Sequence, residues 1–424
     1  MLHCLMFWLF VHAPNWLLHY GLSAAAFCRS VVRLFWHFEI DVCLYRGLCR
    51  SYVTTVLWVG VGDQREYLLQ LLYDGKHDVI RLRPTNVFGL RRRIAAFAGQ
   101  CDMVCVERSS LLRPLKGYAR IAPILNTRMP VSALADPGSA HSTKSRRKLF
   151  HRRLSLVARS NVTYREFSVA RHPEQLRLFY DELYAPHIGS TYGRGSVESF
   201  ETMKLFYAKG VLRLAYLDGQ AISGALFLQS KDVLVFCKYG VRDPEDKVHR
   251  ASSGVHSHIK YAEEKQVRSY IAFHVVPFFN DGVFHYKRSC GLGVERETRT
   301  YYRDTDLYLR IIQYHRGVVA FLKESPFIYL RHGHLVACLC CHDDLAPLED
   351  DIVRQYGMYV TVGVDQYEFH VNRELTDEEK ARVLRRCGCV AGDGRLTFVA
   401  YREPKVVADE VNDDEGPRGP VSMN

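Results

Sequence analysis

The residues of this chain best equipped for chemistry fall into a few short passages. Lys144, Arg146, Arg147, Lys148, Arg152 and Arg153 form the most strongly charged run, with no acidic residue among them. Such a run suits contact with an anionic substrate or donor, and it equally describes the solvated face of a helix. Arg91, Arg92 and Arg93 pose the same pair of readings. Cys338, Cys340, Cys341, Cys387 and Cys389 resemble a metal cluster only superficially. Their spacing lacks the usual CxxC pairs, and neighbouring thiols point in divergent directions, so no metal is expected. The 13 cysteines read instead as reduced, buried thiols of a cytoplasmic protein. His274 and His285 are candidates for proton transfer, and they equally suit structural roles beside strand ends.

Regular elements must position these groups. VTTVLWVGV, from Val53 to Val61, reads as a buried strand. Arg65–Tyr73 and Leu90–Ala98 read as helices, and Asp78–Leu82 and Asp102–Val106 as strands, an order that implies a small layered α/β domain over 51–130. Residues 131–152 read as a linker followed by a basic helix. From Asn161 the order becomes strand, helix, three-strand meander, helix, strand, helix. The meander turns at Asp218-Gly219, a pair that favours a tight hairpin. Ser252 and Ser253 suit the cap of a helix running to Lys265. Beyond 330 an α+β module is expected over 331–405, with Thr376 and Glu379 forming a capping box, and 406–424 reads as a disordered tail.

Hydrophobic residues make up 48% and charged residues 24% of the 424 positions, which excludes a chain disordered over its bulk and predicts more than one domain. The net charge of +11 favours polyanionic partners: nucleic acid, anionic lipid or phosphorylated ligands. The apolar stretch from Met1 to Phe38 is broken by Pro14 and several polar residues, and no basic region precedes it. It reads as an interfacial anchor, a helix held against the main body, or the product of a poorly chosen start codon.

Four passages together resemble the GNAT-superfamily acyltransferases, and within them the FemAB-like branch. They are SRRKLFHRRL (Ser145–Leu154), FYDELYAPHIGSTYG (Phe179–Gly193), VLRLAYLDGQAISGALFL (Val211–Leu228) and DGVFHYKRSCGLGV (Asp281–Val294). The resemblance spans about 145–330. It implies a mixed α/β (α+β) GNAT fold over 153–330, with the 51–130 segment as a GNAT-like half of a tandem arrangement, and an acyl donor lying where two sheet strands splay apart.

The resemblance further implies that donor phosphates meet the residues just before the helix that follows the meander: Arg242, Arg250, Ser252, Ser253 and Gly254. There the helix dipole and free amides favour anions. It makes Lys287 the electrostatic stabiliser, beside Tyr286, with Asp281 as base or acceptor-orienting group and His187 as a further catalytic residue or helix cap. Tyr184, Tyr192, Tyr239 and Arg147 would contact substrate. The expected reaction moves an acyl group from acyl-CoA, a co-substrate rather than a bound cofactor, to an amine or hydroxyl of a small-molecule or saccharide acceptor related to the cell envelope. The expected place is the cytoplasm, with peripheral contact at the inner membrane face. The family's Gln/Arg-x-x-Gly-x-Gly/Ala signature is absent; Arg250-Ala-Ser-Ser-Gly254 stands in its place. Two alternatives follow: an aminoacyl-tRNA-dependent transferase, and an inactive GNAT-like scaffold.

Overall fold

The computed structural model describes residues 40–401 except 61–63, 87–88, 110–113, 123, 135, 137–138, 140–142, 207, 297–304, 343–346, 391 and 393. The apolar stretch before Ile40 and the tail beyond Tyr401 lie outside the described residues. Among the described residues seventeen strands form two sheets, with helices interspersed, so the fold is mixed α+β.

The chain opens with β1 (Ile40–Cys49) and β2 (Tyr52–Gly60), an antiparallel hairpin turning at Arg50 and Ser51. Both turn residues have positive φ, at 49° and 69°, the geometry whose twist matches the flanking strands. Arg50 is held there by ion pairs to Asp74 and Glu324. Then come α1 (Arg65–Leu72), β3 (His77–Thr85), α2 (Leu90–Phe97), β4 (Met103–Ser109), β5 (Ala119–Ile121) and β6 (Leu125–Pro130). The hairpin partner β1 lies before the expected first strand. Its alternating pattern includes Asp41, Arg46 and Gly47, which weakens the apolar signal.

Helix α3 (Lys144–Arg159) is capped by the Thr143 hydroxyl, which accepts from the Arg146 amide at 3.2 Å. It buries only Phe150 and Val157 and leaves its basic face largely to solvent. After β7 (Thr163–Ser168), a continuous helical segment comprises α4 (Pro173–Leu178), a π-helical turn at Phe179–Tyr184, and α5 (Ala185–Tyr192). Next come α6 (Phe200–Phe206) and the meander of β8 (Val211–Leu217), β9 (Gln220–Gln229) and β10 (Val233–Val241). Asp218 and Gly219, at φ 50° and 79°, make the expected two-residue turn.

Helices α7 (Lys247–Ser252) and α8 (Val255–Glu264) follow, then β11 (Ser269–Val275), α9 (Gly282–Ser289) and β12 (Gly293–Arg296). The serine pair does not cap α8. Asp246 starts a helix six residues earlier than α8's expected beginning, because its Oδ1 accepts from the Val248 and His249 amides at 2.7 and 2.9 Å. Ser252 then closes α7, and Gly254 precedes α8 with no side-chain cap.

The chain ends with β13 (Thr305–Ile311), α10 (Arg316–Glu324), β14 (Phe327–Arg331), β15 (His334–Cys341), α11 (Leu348–Tyr359), β16 (Gln366–Val371), α12 (Asp377–Arg386) and β17 (Leu396–Ala400). Thr376 and Glu379 form the expected capping box on α12. Cys338 and Cys340 enter one core while Cys341 enters another across the sheet, as alternation along a strand requires.

One sheet runs β17-β16-β15-β14-β5-β13-β4-β2-β1-β3, the other β12-β6-β11-β10-β9-β8-β7. Strands β2–β5 from 51–130 and β15–β17 from 331–405 belong to one sheet, while β6 belongs to the other. The two sheets also trade strands. β6, from the early part of the chain, inserts between β11 and β12, while β13, from the late part, inserts between β4 and β5. Sequence periodicity reports each strand but not its partner, so this exchange has no local signature.

Candidate functional site

The second sheet opens at its centre. β10 and β11 run parallel and paired only from Val233 to Phe236 and from Ser269 to Ala272. A bulge then shifts the register of β10 against β9 between Phe236 and Lys238, and bulges bend the strand that carries them. A cleft of about 790 Å³ lies there, within the range of ligand sites.

One side is set by α8, whose N-terminal residues Gly254, Val255 and His256 line the cleft. The Val255 amide donates to the Tyr286 hydroxyl at 3.3 Å. A Cβ on Gly254 would stand 3.1 Å from the Arg250 carbonyl oxygen and 3.2 Å from the Tyr286 hydroxyl, so glycine keeps this corner open. Arg250 and Ser253 line the cleft beside it, and the buried Ser253 hydroxyl has no hydrogen-bond partner among the described residues. Ser252 turns the other way: its hydroxyl meets that of Ser223 at 2.6 Å and donates to the His249 carbonyl. Arg242 is also drawn off, donating to the Ala221 carbonyl at 2.8 Å and pairing with Glu182.

The opposite side comes from the helical segment of α4 and α5. A Cβ on Gly240 would fall 2.5 Å from the Leu183 carbonyl carbon and the Tyr184 nitrogen, so only glycine lets the π-helical turn lie on β10. That contact places Tyr184 and His187 in the cleft. His187 is 7% exposed, and neither ring nitrogen has a hydrogen-bond partner among the described residues. Burial lowers its pKa, so the imidazole is neutral. Its ring meets Tyr239 edge-on at 5.0 Å. Tyr239 lines the cleft, and the Tyr184 hydroxyl accepts from the Glu198 amide at 3.3 Å.

Helix α9 forms the floor. The Asp281 Oδ1 accepts from the Val283 and Phe284 amides at 3.0 and 2.9 Å, starting the helix. Asp281 lines the cleft, but its acceptor capacity goes first to holding α9, a helix cap rather than the simple turn that Asp-Gly suggests. The helix presents Tyr286 and Lys287. The outer part of the Tyr286 ring is exposed while its hydroxyl points inward to Val255. Lys287 is 5% exposed, and burial pulls its pKa down to about 7 against the opposing charge of Asp281. Near neutrality it can therefore hold or release a proton.

Two further expected residues, Arg147 and His285, fall outside this group besides Ser252 and Arg242. Arg147 lies on α3 and does not line the cleft; Arg153, one turn and a half further along, does. Tyr192 ends α5, and its side chain lies outside the described residues, as does that of His274. His285 is exposed on α9. Two groups had no clear sequence signal. Lys238 follows the bulge and pairs with Glu198 at 3.0 Å. His256 and His258 also line the cleft. Burial, reinforced by Arg153, lowers the His256 pKa to about 4, and burial with Arg213 lowers that of His258 to about 3. Both are neutral at physiological pH. The lining thus carries Arg153, Lys238, Arg250 and Lys287 against the single carboxylate of Asp281, a field that favours an anionic ligand.

Among the described residues no cluster of metal-ligating side chains occurs, and no helix is long and apolar enough to cross a membrane. No family model matches the chain, and no curated protein matches it. Among solved structures, FemX is similar at 11% identity, covering 63% of this chain and 83% of that one, with a TM-score of 0.34. A GCN5-related N-acetyltransferase from Sphaerobacter thermophilus is similar at 14% identity, over 64% and 76%, with a TM-score of 0.27. L-PGS from Bacillus licheniformis gives 11% identity, 63% and 80% coverage, and a TM-score of 0.29.

Proposed function

We propose that the chain is an acyltransferase that moves an acyl group from acyl-CoA to an amine or hydroxyl of a cell-envelope or polysaccharide-related acceptor. The observation that carries this reading is the parting of β10 and β11 with a helix N-terminus and a buried lysine facing the gap. The donor's phosphates would meet the first amides of α8, where the helix dipole adds to Arg250 and Arg153. Its acyl carbonyl would lie toward Lys287. As the acceptor attacks, negative charge grows on the carbonyl oxygen, and the Lys287 ammonium in its dry pocket stabilises that charge. Neutral His187 is placed to take the acceptor's proton. The Tyr286 hydroxyl accepts from Val255 and keeps its own proton to give to the departing thiolate. Asp281 holds α9, and with it Tyr286 and Lys287, in position.

Calorimetric titration with acetyl-CoA and longer acyl-CoAs tests this. Binding that is lost in Arg250→Glu supports the reading, and saturable donor binding unaltered by that change removes it.

A second reading, transfer from an aminoacyl-tRNA, is favoured by the basic face of α3, which ends at the cleft with Arg153. The α7–α8 joint favours it too, being helical through Ser252 with no glycine-rich loop. It requires tRNA binding that weakens steeply with salt. Retention of that binding after charge reversal at Lys144, Arg147 and Lys148 would exclude it.

A further inference from the structure

Nothing in acyl transfer uses a second cavity, of about 870 Å³, on the ten-stranded sheet between the β5–β13 and β14–β16 strands. It shares no lining residue with the acyl-transfer cleft. One wall is a connected polar network. Glu368, 6% exposed, accepts from the Tyr329 hydroxyl at 3.0 Å, lies 3.0 Å from His370 Nε2, and pairs with Arg331. The other nitrogen of His370 meets the Tyr314 hydroxyl at 2.6 Å. Burial opposes charge on both groups, yet His370 and Arg331 draw the Glu368 carboxyl down to about 2. The partners Cys338 and Glu368 drive the His370 imidazole up to about 10. This wall therefore sets the Arg331 guanidinium and the His370 imidazole around the Glu368 carboxylate.

Apart from Arg120, the remaining rim adds positive charge with no paired carboxylate among the described residues. Arg120 is neutralised by Asp306, its Nε 2.7 Å from Oδ2. Arg310 lies over the Tyr118 ring at 5.7 Å, and the buried Nε of Arg296 has no hydrogen-bond partner among the described residues. The floor, by contrast, is apolar: Leu309, Ile311 and Phe327 lie beside the Tyr314 ring, which stacks on Tyr401 at 4.5 Å and 11°. A buried charged network contributes less stability than well-fitted apolar side chains of the same volume. Its position on the wall of a cavity of ligand size, with surplus positive charge opposite a flat apolar floor, is the arrangement of a binding site.

We propose that this cavity is a second ligand site, separate from acyl transfer, for a small organic anion. The ligand's carboxylate or phosphate is gripped by Arg310, Arg296 and the Arg331–His370 wall. Its flat apolar body lies on the Leu309–Phe327 floor.

Phenyl phosphate and benzoate carry these two features, and benzyl alcohol keeps only the second. Titrated into the full chain, the two anions should bind saturably, and benzyl alcohol at least about tenfold more weakly, since a charge-assisted contact is worth one to two decades. Arg310→Gln alters an exposed side chain and should weaken phenyl phosphate by about tenfold. Arg331→Gln should do the same, provided its thermal unfolding remains cooperative; Arg310→Gln decides the matter where it does not. Phenyl phosphate affinity lost in Arg250→Gln but unchanged in Arg310→Gln would place the anion in the acyl-transfer cleft and overturn the proposal. The absence of saturable binding by either anion would overturn it as well.

Discussion

The β2–β4 and β10–β11 pairs start alike and end differently. Each joins two strands in parallel, over Val56–Val59 with Met103–Val106 and over Val233–Phe236 with Ser269–Ala272. Each is flanked by an antiparallel strand borrowed from the other part of the chain. At the end of the first pair, Gly60 lies so close to Glu107 that a Cβ would stand 2.5 Å from that residue's own Cβ. The buried Glu107 carboxylate then accepts from the Gln64 amide at 3.2 Å, at the start of α1. The helix end is thereby answered by a side chain of the protein. At the second pair the bulge after Phe236 turns the strand away, Gly240 admits the π-helical turn, and the start of α8 faces open space. The same framework becomes a closed core or a ligand cleft through a handful of residues, and one carboxylate at a helix N-terminus separates the two.

Breaking the open side should have the largest effect. Lys287→Met is expected to lower the acyl-transfer rate by about a hundredfold or more, the scale of losing a principal oxyanion stabiliser, measured as kcat. The same variant sharpens the electrostatic account. The folded pKa of Lys287 is about 7 against the ordinary lysine value of 10.5, so between those values the unfolded chain binds more protons than the folded one. The wild-type protein should therefore gain stability as pH rises through that window. Denaturant titrations at pH 7 and pH 10 should show Lys287→Met lacking this gain, and an equal rise in both proteins would contradict a buried ammonium.

Activity should move the other way. The ammonium is lost as pH rises through about 7, so kcat should fall across that range; a kcat that rises there instead would make Lys287 the base. Next in size, Arg250→Gln should weaken acyl-CoA by about tenfold, and calorimetry should give one donor per chain; two donors would mean that the β2–β4 end is also open. The smallest effects belong to the closed side. Glu107→Gln removes the charge answering α1 and should cost about 1–3 kcal/mol in denaturant titration while leaving donor affinity unchanged. A loss of donor affinity there would join the two ends functionally.

The sequence made the meander, its Asp218-Gly219 turn and the Thr376 capping box plain, because each depends on neighbours within a few positions. Lys287, Tyr286 and His187 could be named because they fall inside passages with a family resemblance, and Gly254 because it precedes the helix that follows the meander. What it concealed depends on distant partners. The bulge after Phe236 leaves no trace beyond a lysine in an apolar strand. Ser252 reads as a cap until Asp246 is seen to begin a helix earlier, and Asp281-Gly282 reads as a turn until its carboxylate is seen to start α9. Nothing local marks the histidines at 256 and 258, which lie inside the helix expected up to Lys265.

The traded strands also bear on the order in which the protein is made. Strand β4 meets its antiparallel partner only once Thr305–Ile311 has left the ribosome, so the first sheet must wait, its interior edge exposed, through nearly two hundred residues of synthesis. Closing so long a loop is slow. A nascent chain arrested before β13 would offer an unpaired strand at its centre, the kind of edge that invites association between chains.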